Sequence, residues 1–119
     1  MGKDTSFIVR GERMSDKSII RGTTPTYIVE FEGSGVDVED IEKAVLTVKY
    51  RGVKTDLSDG LVYDTAENTI YYHFSQAETL AYRAGEKVYL EMDVVIDGER
   101  SRASERILDV KNTLKDEVI

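Results

Sequence analysis

The chain has no cysteine and no tryptophan, and only one histidine and one proline in 119 residues. Without cysteine there is no thiol nucleophile, no zinc–thiolate site and no disulfide framework. A lone imidazole excludes a histidine cluster for a transition metal and a relay between two imidazoles. No apolar run approaches the ~20 residues of a membrane-spanning helix. The opening Met1-Gly2-Lys3-Asp4-Thr5-Ser6 lacks the apolar stretch of a signal peptide. It nominally fits a myristoylation pattern, but without the polybasic patch that supports a single acyl chain. Basic residues are the minority. Sixteen Lys and Arg against 23 Asp and Glu leave a net charge of −7, which opposes a phosphate-dominated nucleic-acid interface. The composition therefore leads us to expect a soluble protein made in the cytoplasm, with neither nucleic acid nor membrane as partner.

At this length the chain makes one domain, large enough to fold without metal or disulfide staples. Hydrophobic periodicity is close to two nearly throughout, the mark of strands. Along 88–96, Val88, Leu90, Met92, Val94 and Ile96 share one face, and Tyr89, Glu91, Asp93 and Val95 share the other. Asp97-Gly98 follows, a dipeptide suited to the positive φ angles of a two-residue hairpin turn, so a return strand is expected over about 99–110.

The same alternation places Ala44, Leu46, Val48 and Tyr50 on one face of 43–51, and Ile70, Tyr72 and Phe74 on one face of 69–75. Tyr27, Val29 and Phe31 alternate with Ile28 and Glu30 in a strand that opens at Pro25. A proline cannot donate to a ladder, which predicts a sheet edge or a kink there. Arg51-Gly52, Ser58-Asp59-Gly60 and Ala66-Glu67-Asn68 read as turns around short strands at 53–57 and 61–64.

Ser75-Gln76-Ala77-Glu78 has capping-box spacing and predicts one short helix that stops at Gly85; Asp37–Glu42 suggests a second helical turn. About seven regularly spaced strands predict an all-β fold, an antiparallel immunoglobulin-like β-sandwich. Residues 1–17 read as a polar N-terminal arm and 18–119 as the single domain. Ile8-Val9-Arg10-Gly11 echoes Ile19-Ile20-Arg21-Gly22, too briefly for a repeat, although 7–10 has the character of an extra strand.

Chemistry-bearing constellations are sparse. His73 has Tyr71, Tyr72 and Phe74 as sequence neighbours and no second ligand type beside it, so it reads as a surface imidazole in a cross-strand pair. Asp37, Glu39, Asp40 and Glu42, and likewise Asp56 and Asp59, carry calcium-type oxygens without calcium-loop spacing. No strand–glycine-loop–helix unit cradles a phosphate, and no elbow motif pairs a serine with the histidine. A sugar cleft with paired carboxylates lacks tryptophan and walls. The expectation is no enzyme, no cofactor and no metal.

Partner contact is the remaining reading. If the core faces are as above, Tyr71, His73, Tyr89 and Val95 point outward, with Ile28 and Val45 outward on other strands. Such residues from neighbouring strands would merge into one docking patch centred on Tyr71 and Tyr89. The alternative is plain cross-strand pairing on a solvated face.

Four stretches also carry a resemblance. They are Ile19-Ile20-Arg21-Gly22-Thr23-Thr24-Pro25-Thr26, Phe74-Ser75-Gln76-Ala77-Glu78-Thr79-Leu80, Val94-Val95-Ile96-Asp97-Gly98 with Ala103-Ser104, and Leu114-Lys115-Asp116-Glu117-Val118-Ile119. Together, over 18–119, they resemble a family of small proteins encoded among tail genes of phages and prophages of Gram-positive bacteria. Its relatives are the immunoglobulin-like N-terminal domains of baseplate upper proteins. The resemblance implies a virion structural protein located in the tail, with other tail or baseplate proteins as partners, a homo-oligomer as an open alternative and no catalytic residue to transfer. Family members begin near the first of these stretches, so the arm at 1–17 is a departure. A carbohydrate- or cell-surface-binding module is the alternative function.

Overall fold

The computed structural model describes residues 8–10, 18–31 and 33–112, the first of these as backbone. The strands are β1 (Ile8–Arg10), β2 (Ser18–Ile20), β3 (Thr26–Glu30), β4 (Lys43–Tyr50), β5 (Val53–Asp56), β6 (Val62–Asp64), β7 (Thr69–His73), β8 (Lys87–Ile96) and β9 (Glu99–Lys111). They form a four-stranded sheet in the order β1-β3-β7-β6 and a five-stranded sheet in the order β2-β9-β8-β4-β5. With the first strand split between the sheets and lettered once, this order reads A-B-E-D against A′-G-F-C-C′, the arrangement of an immunoglobulin-type sandwich. The expected all-β sandwich is therefore present. Splitting the first strand and adding an outer strand after β4 raises the strand number above seven.

Local chemistry explains the connections. Arg51 and Gly52 have φ of 55° and 78°, and Asp97 and Gly98 have 54° and 76°, the paired positive angles of the tight hairpins β4–β5 and β8–β9. Ser75 caps α1 (Gln76–Leu80): its side chain accepts from the Glu78 amide while the Glu78 carboxylate accepts from the Ser75 amide. Asp37 likewise caps a 3-10 turn at Val38–Asp40, and a second 3-10 turn spans Ser58–Gly60.

The core lies between the sheets. Tyr27, Val29 and Phe31 from β3 and its end meet Leu46, Leu90, Met92 and Leu108 from the facing sheet, with Ile70 and Phe74 beside them, all fully buried. Burying side chains of this size contributes roughly 1.5–3 kcal/mol each, so this layer supplies the cohesion that a disulfide supplies in small secreted domains.

Among the described residues the pairing is predominantly antiparallel, as expected, with β2 running parallel to β9. The chain thus covers one edge of each sheet with its first segment, and the Ile8 and Ile19 echo corresponds to those two edge strands, β1 lying within the expected polar arm. The strand after Pro25 is not an edge strand, since β3 lies between β1 and β7. Pro25 precedes the ladder and contributes its carbonyl, which accepts from the Phe74 amide at 2.9 Å. Ile28 faces away from the core cluster but is only 3 % exposed. The remaining residues of the expected arm and the closing Leu114–Ile119 stretch lie outside the described residues.

Candidate protein-docking face

The residues expected to form one patch lie on two sheets. Tyr71 and His73 belong to β7, Tyr89 and Val95 to β8, and the outer faces of the two sheets look in opposite directions. On the four-stranded sheet, Tyr71 is half-buried in a row with Ile28 and Val62, and His73 Nδ1 lies 2.7 Å from Thr26 Oγ1 on β3. That is the cross-strand pair read from the sequence. A single patch joining all four residues does not form, because alternation tells which face of its own strand a residue occupies and not which sheet the strand joins.

On the five-stranded sheet the picture is more coherent. Tyr89 is 41 % exposed, and its partner across the ladder is Ile107, 58 % exposed. Lys49 of β4 flanks Tyr89 on the other side. One row away, Lys87 Nζ lies 2.6 Å from Asp109 Oδ1. In the other direction Arg102 reaches Glu91 at 2.9 Å and Glu105 at 3.2 Å. Two large apolar side chains thus sit together inside a rim of paired charges.

Farther along, Asp93 accepts from Arg100 Nε at 2.8 Å and from Arg102 Nε. Burial raises the Asp93 carboxyl, but these two guanidinium hydrogen bonds outweigh it and hold the group below its usual range. Val95, half-buried, lies beyond, opposite Arg100 and Lys43.

A β-bulge builds this cluster. The β8–β9 register shifts between Met92 and Asp93, leaving Ala103 as an extra residue on β9. Without it Ala103 would face Asp93 and Arg102 would turn toward the core. With it, Arg100 and Arg102 share the outer face with Asp93, while Ala103 and Ser104 are both buried. Neither Ile107 nor the bulge was read from the sequence. A signal exists: Arg100 and Arg102 have the same parity as the buried Leu108 and Val110, so the strand must change phase between them.

Two of the recesses among the described residues flank these sheets. One, of about 300 Å³, lies at the loop end and is lined by Gly35, Val36, Asp37, Asp40, Ile96 and Asp97. The other, of about 230 Å³ and mostly apolar, lies between β5 and α1 and is floored by Val48, Tyr50 and Tyr82. Two of the carboxylates considered for calcium serve local turns: Asp37 Oδ1 accepts from the Glu39 amide and Asp56 Oδ1 from the Ser58 amide. Among the described residues no three His, Asp or Glu side chains converge as metal ligands, and no helix is long and apolar enough to cross a membrane.

No family model matches the chain, and no curated protein matches it. A solved structure, that of titin domain M4 in a trigonal crystal form, is similar over 90 % of this chain and 95 % of that one, at 10 % identity and a TM-score of 0.42.

Proposed function

We propose that this sandwich is a non-enzymatic docking module of a phage or prophage tail, binding other virion proteins through the outer face of its five-stranded sheet. The observation that carries the docking role is the exposed Tyr89–Ile107 pair inside its charged rim. Binding hot spots have this anatomy, with an aromatic and an aliphatic anchor surrounded by polar groups that exclude water. The tail context rests on the resemblance of the Ile19–Thr26 stretch and its companions to small tail-gene proteins. Val95 continues this face, whereas Tyr71 and His73 lie on the other sheet and outside it.

The test pairs purified chain with each structural protein encoded beside it and measures affinity for parent, Tyr89→Glu, Ile107→Lys and Tyr71→Glu. Loss of an anchor should weaken binding by roughly thirtyfold or more, with melting temperature nearly unchanged. Tyr71→Glu should bind like the parent. Equal binding by all variants would remove the proposed face. Reproducible binding of one sugar class on a glycan array, with no protein partner, would replace docking by carbohydrate recognition.

A further inference from the structure

A different surface carries an inference independent of that reading. β5 is the outermost strand of the five-stranded sheet, and all four of its residues are exposed. The Leu57 amide donates to the Leu46 carbonyl at 2.8 Å, which sets the alternation along the β4–β5 ladder. Val53, Thr55 and Leu57 turn their backbone polar groups toward β4, and Lys54 and Asp56 turn theirs outward. The side chains of Lys54 and Asp56 lie on the outer face, and those of Val53 and Thr55 on the inner one.

An edge lysine ordinarily guards against pairing. Here Asp56, two residues on and on the same face, makes the edge complementary to itself in one register. Consider a second copy pairing antiparallel with Thr55 opposite Thr55. Lys54 then faces the second copy's Asp56, and Asp56 its Lys54. The outward amides and carbonyls meet as hydrogen-bonded pairs, with the two Thr55 residues as the non-hydrogen-bonded pair on the two-fold axis. A slip of one residue sets outward groups against inward ones. Slipping by two sets Lys54 against Lys54 or Asp56 against Asp56. In the favoured register Val53, 65 % exposed, falls opposite the second copy's Leu57 beside the apolar recess at α1. We infer that β5 is a self-association edge, on which two copies join their five-stranded sheets into one.

The absence of cysteine makes this testable by cross-linking. Residues in a non-hydrogen-bonded antiparallel pair have Cα atoms about 4.5 Å apart, within disulfide reach. Under mild oxidation Thr55→Cys should convert most of the chain to a covalent dimer, and Ile107→Cys should not. Adding Lys54→Glu to Thr55→Cys should lower the dimer yield at least tenfold. Sedimentation of the cysteine-free parent should show a concentration-dependent dimer that Lys54→Glu abolishes without changing the melting temperature, a measurement that decides even if Thr55→Cys folds poorly. Tyr89→Glu should dimerise like the parent, which separates this edge from the docking face. A parent that stays monomeric, a dimer that survives Lys54→Glu, or cross-linking through Ile107→Cys at an equal rate would each overturn the inference.

Discussion

Tyr27 is fully buried on β3, and its hydroxyl meets Ser104 Oγ on β9, so one hydrogen bond ties the two sheets at mid-core. Desolvation raises the Tyr27 pKa, with Ser104 and Arg106 opposing it. Ser104→Ala strands that hydroxyl and should cost about 1–3 kcal/mol, whereas adding Tyr27→Phe should recover much of the loss; thermal melts of the double-mutant cycle check this. Glu86 is a second residue with a clear expectation. Hydrogen bonds from Arg51, and then from the Tyr50 hydroxyl, lower its pKa from 4.5 to about 2. The folded value lies below the unfolded one, so the stabilisation is full above the unfolded pKa and is lost as pH falls through the folded one. Glu86→Gln should flatten the decline in melting temperature between about pH 4.5 and 2 and leave the rest of the curve in place.

Among the elements, α1 depends on its ends, because five residues form too little helix to stand by propensity. Ser75→Ala removes one half of the capping box and should destabilise the chain by about 1 kcal/mol, read from the urea midpoint at unchanged m-value. The long hairpin β8–β9 shows how far elements are legible. Val88, Leu90, Met92 and Val94 are all buried, as alternation indicates, because the pleat sends successive side chains to opposite faces whatever lies beyond the strand. The bulge at Ala103 is less legible, since its signal is only the clash of phase between Arg102 and Leu108 along one strand, and the register with β8 is what places it.

In the whole molecule, protection should follow position in the sheets. Amides of β8 bonded to β4 and β9, and those of β3 between β1 and β7, should exchange most slowly. Native-state hydrogen exchange should show Lys54 and Asp56 on the free edge exchanging fastest at low concentration, and slower as copies associate. Equal protection across β3, β5 and β8 would contradict the layered core.

The candidate site divides along the same line. Tyr89 was legible as outward-facing, and so were His73 and Val95, because facing is a local property of each strand. Their grouping was not. Local order along the chain specifies the strands, the hairpin at Asp97-Gly98, the capped helix at Ser75 and the apolar faces, since all of these follow from sterics and hydrogen bonding within a few residues. Folding of the whole chain assigns β7 and β8 to different sheets, sets β2 parallel beside β9, and makes Ile107 the neighbour of Tyr89. Strand pairing joins segments distant in the chain, and burial of the whole core selects the partner.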